Sequence, residues 1–198
     1  SVATLQKYFE AAAAEFNVPV ALLRSYAQVQ SNWAQVSESM YGSWGMMGLI
    51  EQGNTMQISL GAMLLGSNTA IIKTDARQNI RAGAALLAYY KNELKSNGNT
   101  YEDWFAAVSQ LTGLTDADMR NSLAKRVYNT LQQGSKTISI WGEIISIAAV
   151  ENTITPNIEK NGNPGQLGNG TPDYPGAIYN LTNSNFNNRP AGASINFY

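Results

Sequence analysis

Apolar residues recur along the first two thirds of the chain at helical spacing. Over residues 4–16 they fall at Leu5, Tyr8, Phe9, Ala12, Ala13 and Phe16, which predicts a helix with Thr4 as its N-cap. Asn17-Val18-Pro19 interrupts the period, and Pro19 suits the first turn of a second helix. That helix sets Leu22, Tyr26, Val29 and Trp33 on one side, with Leu23 and Gln30 on another. Between 37 and 53 the pattern is short and broken. The glycines of Met40-Tyr41-Gly42-Ser43-Trp44-Gly45-Met46-Met47-Gly48-Leu49 predict close backbone approach or unusual dihedrals there, with backbone N–H and C=O groups offered to a ligand.

Helical spacing returns over 58–65, stops at Gly66-Ser67-Asn68 and resumes at Asp75. Residues 79–90 read as a largely buried central helix whose alanines and glycine permit close packing. Asn97-Gly98-Asn99 marks a turn, and two further helices are predicted over 101–110 and 118–132, the second stopped by Gly134. Isoleucine-rich residues 137–147, with Trp141, predict one or two short strands. The expectation is an all-α domain over 1–135, a strand-like segment over 136–151 packed on it, and an Asn/Gly/Pro-rich connector over 152–198.

Composition narrows the chemistry. Only 14% of the 198 residues are charged, the net charge is -1, and no cluster of Lys or Arg suggests a nucleic-acid footprint. With no Cys and no His, a Cys/His zinc site and Cys- or His-based nucleophilic catalysis are excluded. No cofactor or metal is expected, and no apolar run reaches the length of a membrane span. A start at Ser1 fits a mature chain after removal of a signal peptide and equally a trimmed one.

Three blocks carry a family resemblance. The stretch Val20-Ala21-Leu22-Leu23-Arg24-Ser25-Tyr26-Ala27-Gln28-Val29-Gln30-Ser31-Asn32-Trp33 resembles the catalytic-helix segment of lysozyme-like peptidoglycan hydrolases. Tyr41 to Leu49 is similar to the glycine-bracketed segment that lines the sugar cleft in that family, and Asn79-Ile80-Arg81-Ala82-Gly83-Ala84-Ala85-Leu86-Leu87 to its Asn-Ile-x-x-Gly-x-x-Leu-Leu core helix. Over roughly residues 1–150 the chain thus resembles the lysozyme-like domain found ahead of amidase domains in secreted bacterial wall hydrolases. The residues from Asn187 to Tyr198 resemble the connector into such an amidase, a zinc enzyme whose ligands would lie past Tyr198.

The resemblance implies a secreted, periplasmic or wall-associated protein that meets peptidoglycan glycan strands, and it places Gln30 where the family carries its general acid. A carboxamide hydrogen-bonds a sugar but has no proton to give at physiological pH. Leu111, in Gln110-Leu111-Thr112-Gly113, stands where the family's cleft tyrosine is expected. Ser31, Tyr41, Trp44, Gly45, Met46, Met47 and Leu111 are the candidate glycan contacts, and Glu38 is a weak substitute for the missing carboxylate.

Each residue also has a plainer reading. Gln30 can be an exposed helix-end glutamine, Glu38 a solvated loop carboxylate, Trp33 and the methionines core, and Arg81 a salt-bridge partner. The functional expectation is glycan binding by a domain without its acid, positioning a linked or partner amidase. The alternative is a muramidase or lytic transglycosylase whose glutamate was replaced by Gln30. A structural or assembly role for the fold stands as a third reading.

Overall fold

A computed structural model of the chain describes residues 4–39 and 42–151. Tyr41 and the connector expected over 152–198 lie outside the described residues.

Helix α1 (Thr4–Phe16) buries Leu5, Phe9, Ala12 and Ala13, the face that the apolar spacing marks. Thr4 is the first helical residue, one position inside the expected cap. The N-terminus of α1 is covered from far along the chain by the Glu143 carboxylate, which accepts from the Leu5 amide at 2.8 Å and the Gln6 amide at 3.1 Å. Helix α2 (Val20–Ser31) starts after Pro19 and ends at Asn32 in the left-handed region, φ 49°. Trp33 follows at φ 66°, a conformation that costs a bulky residue about 1–3 kcal/mol. Packing holds it there. Its ring meets Phe9 edge-on at 5.7 Å and its indole N–H donates to Thr137 Oγ1 at 2.6 Å.

Strands β1 (Ser43–Trp44), β2 (Leu49–Gln52) and β3 (Thr55–Met56) form an antiparallel sheet in the order of the chain. Gly53, at φ 60°, supplies the tight turn between β2 and β3. Helix α3 (Gln57–Leu65) leaves the sheet directly, its N-terminus capped by the Glu51 carboxylate, which accepts from the Ser59 amide at 3.0 Å. Helices α4 (Thr69–Thr74) and α5 (Ala76–Glu93) carry side-chain caps from Asn68 and Asp75. The central helix α5 packs against α1, α3 and α4. A 3-10 turn at Glu102–Trp104 leads into α6 (Phe105–Leu111), and α7 (Ala117–Gln133) returns along α2. A hairpin of β4 (Ser135–Ile138) and β5 (Ile144–Ile147) closes the described chain, with Ile145 and Ile147 inserted into the main core.

The all-α expectation is therefore corrected. The chain is a mixed α/β fold with two separate antiparallel sheets built into its ordered core. The cause is physical. β1 and β3 are two residues long, too short for one full in–out alternation, and Leu49 and Ile50 are both buried, so β2 shows no alternation at its start. The second hairpin is likewise part of the core and not a tail laid upon it. Among the described residues, no helix is long and apolar enough to cross a membrane.

Candidate functional site

The last turn of α2 turns two polar side chains inward. Gln30 keeps only 5% of its surface accessible, so it is not an exposed helix-end glutamine. Its Nε2 donates to the Tyr26 hydroxyl at 3.0 Å, one helical turn earlier. Burial drives the Tyr26 phenol far above its ordinary range, with the Gln30 hydrogen bond opposing and nearby Tyr90 adding to the shift, so the hydroxyl stays protonated. Across from the carboxamide lies Gly48, at φ 55°. A β-carbon there would come within 3.0 Å of Gln30 Oε1.

Ser31 faces the same segment. Its hydroxyl has two acceptors within reach, the Met46 carbonyl at 2.7 Å and the Ala27 carbonyl at 3.1 Å. On the opposite side stands fully buried Asn79 of α5. Its Oδ1 accepts from the Met47 amide at 2.7 Å, while Nδ2 donates to the Trp44 carbonyl at 3.2 Å and the Ile72 carbonyl at 3.0 Å. Four residues on, Gly83 makes room for Met47, whose Cγ would lie 2.7 Å from a β-carbon at that position. The Asn-x-x-x-Gly spacing on α5 thus has a mechanical meaning: one residue ties down the 44–48 turn and the other lets a methionine sink beside it.

The backbone of this turn has no free donors. The amides of Gly45, Met46, Met47 and Gly48 bond to Val36 O, Gln35 Oε1, Asn79 Oδ1 and Gly45 O respectively. The sequence expectation that the glycines offer N–H groups to a ligand is corrected on this point. Residues 45–48 are themselves buried, and the Trp44, Gly45 and Met46 carbonyls accept from Asn79 Nδ2, the Gly48 amide and the Ser31 hydroxyl, so the turn is fastened inward through both its donors and its acceptors.

The structure brings Gln30, Ser31, Gly45, Met46 and Met47 together at the 44–48 turn, which Ser31 of α2 and Asn79 of α5 both bond. Both methionines are fully buried core side chains. Trp44 is half-buried, with Lys73 Nζ 4.5 Å from its ring centroid and its indole N–H enclosed without a partner. Glu38 is exposed on the segment after Trp33. Leu111 is fully buried, and its backbone carbonyl accepts from Gln57 Nε2 at 2.9 Å. Gln57 in turn accepts from the Ile50 amide at 2.9 Å, joining α6 to β2. As the sequence analysis reads it, Arg81 is a salt-bridge residue, paired with Glu15 at 2.6 Å.

Sequence reasoning missed Tyr26 and Asn79 as site residues. The four-residue spacing of Tyr26 and Gln30 was the available signal for the first. For Asn79 only the long-range tie to 44–47 shows the role. Comparison with known proteins assigns no family: no family model matches the chain, and no curated protein or solved structure matches it.

Proposed function

We propose that this domain binds peptidoglycan glycan strands at the Gln30 site without cleaving them. In this reading Gln30 is the floor of the site and Trp44 its open wall. One observation carries it. A neutral carboxamide, bonded to Tyr26 and facing Gly48, is enclosed at a helix end beside half-buried Trp44 and a turn clamped by Ser31 and Asn79. A carboxamide oxygen accepts from sugar hydroxyl and acetamido N–H groups, and a carboxamide supplies no proton for the glycosidic oxygen. Ground-state contacts outlast the loss of an acid, because they do not depend on transition-state chemistry. Retention at the wall would raise the local concentration of an amidase linked beyond Tyr198 or bound as a partner.

A second reading has one specific observation in its favour. A glutamate is nearly isosteric with Gln30, and protonated Tyr26 can reverse its role and donate to a carboxylate. Burial would raise that carboxyl's pKa, the condition a general acid needs. The parent enzyme would then be a muramidase or lytic transglycosylase.

The test pairs the chain with its Gln30→Glu variant on purified peptidoglycan, measuring co-sedimentation and released muropeptides by mass spectrometry. The binding reading expects both proteins to sediment and neither to release product. Disaccharide release by the variant alone supports the second reading. If neither protein sediments or cleaves, both readings fall.

A further inference from the structure

At the N-terminal end of α1 the second hairpin and the start of α5 line a groove of about 360 Å³. That volume lies in the range of small-molecule sites. Tyr8, Asp75, Arg77, Trp141 and Glu143 line it. Trp141 leaves 57% of its surface in solvent, beside exposed Ile140 and Ile144, which is unusual for so large an apolar ring.

The turn that presents Trp141 is fixed. Buried Ser139 accepts from the Trp141 amide at 3.3 Å and the Glu143 amide at 3.2 Å, while the Ser139 amide donates to the Glu143 carbonyl at 2.8 Å. Glu143 then spends both carboxylate oxygens on the first amides of α1, so the turn is locked to that helix. Arg77 makes no ion pair at contact distance among the described residues, although its charge reaches the Glu15 carboxyl. Asp75 uses one oxygen on the Gln78 amide as helix cap.

We propose that this groove is a second saccharide site, taking a neutral pyranose with its apolar face on Trp141 and its hydroxyls on Arg77 and Asp75. The inference rests on the glycan reading for its class of ligand and not on the Gln30 site. Two carboxylates against one guanidinium disfavour an anion, and an exposed ring sharing a groove with a guanidinium and a carboxylate offers a sugar both an apolar face and hydroxyl partners. A locked turn presents the ring without an ordering cost on binding.

The four tryptophans, Trp33, Trp44, Trp104 and Trp141, give separate indole N–H resonances that single Trp→Phe variants assign. The full chain is titrated with a neutral N-acetylglucosamine tetramer. A saturable shift of the Trp141 resonance is expected, with its midpoint raised about tenfold in Arg77→Ala, the loss of one hydrogen bond from a charged group. A shift of Trp44 with Trp141 fixed overturns this proposal and leaves the Gln30 reading standing. Movement of Trp141 alone leaves the groove and removes the Gln30 reading. If neither resonance moves, both fall, and an unchanged midpoint in Arg77→Ala also overturns the groove as assigned.

Discussion

Gly45 and Asn79 are packed so closely that a β-carbon on Gly45 would lie 2.2 Å from Asn79 Nδ2. The contact couples the glycine turn to the central helix, since the same carboxamide bonds the Trp44 carbonyl and the Met47 amide. Gly45→Ala would both strain a φ of 75° and push this carboxamide away. Gly53→Ala serves as the control, because Gly53 also has positive φ but nothing within 4 Å of its added carbon. Urea unfolding should show a loss of about 1–2 kcal/mol for Gly53→Ala and roughly 3 kcal/mol or more for Gly45→Ala. Equal losses would show that the Asn79 contact is slack.

An aromatic at position 111 would not open onto a ligand. The Leu111 side chain is fully buried on α6, where Gln57 ties the helix end to β2. Leu111→Tyr therefore overpacks the core, with an expected loss of about 1–3 kcal/mol in chemical denaturation and no gain in glycan binding. A variant as stable as the parent, with tighter binding, would place Leu111 at the ligand after all.

Glu143 joins the second hairpin to the first helix across 138 positions of sequence. Removing its carboxylate leaves the Leu5 and Gln6 amides without that partner. Glu143→Ala should cost about 1 kcal/mol, the usual effect of deleting a helix cap, and should speed hydrogen exchange at Leu5 and Gln6. Unaltered exchange at those amides would mean the cap is not formed in solution.

The Glu15–Arg81 pair gives a small acid-dependent contribution. The Arg81 hydrogen bond holds the Glu15 carboxyl below its ordinary value of 4.5, opposed by burial and helped by the charges of Arg81 and Arg77. Because the folded value is the lower one, the stabilisation is present above 4.5 and lost as pH falls through the folded value. Both side chains are partly solvent-exposed, so the magnitude is a few tenths of a kcal/mol. Glu15→Gln should differ from the parent at neutral pH and converge with it in acid. A gap that widens in acid would contradict the sign.

What the sequence made legible was governed by element length. Helices α1, α2, α5 and α7 each run for three turns or more, so their buried faces repeat often enough to be read. The first sheet was hidden because its strands span two to four residues and its turns depend on glycine φ values that sequence does not state. Gln30 was singled out by its flanking residues, yet its burial and its bond to Tyr26 required the fold. Trp33 looked like a continuation of α2, and only its packing on Phe9 and Thr137 explains the left-handed turn that ends the helix before it.

Gln30→Glu isolates the electrostatics of the site from its shape. The parent amide is nearly buried and neutral, so it contributes no pH dependence of its own. The introduced carboxyl would sit in the same enclosure, where desolvation favours the protonated form and raises its pKa, while a hydrogen bond donated by Tyr26 acts in the opposite sense. If desolvation wins, the folded pKa exceeds the unfolded value. The variant then matches the parent in acid and loses stability as pH rises from the unfolded value to the folded one. A shift of one to two units corresponds to about 1.4–2.7 kcal/mol at neutral pH. Parallel thermal unfolding of the two proteins from about pH 4 to pH 8 reads this directly. A variant equally stable across that range would mean that Tyr26 and bound water fully solvate the charge, leaving a carboxylate ionised at neutral pH. Such a group could not act as a general acid there, and the enzymatic reading of the site would lose its support even with a glutamate in place.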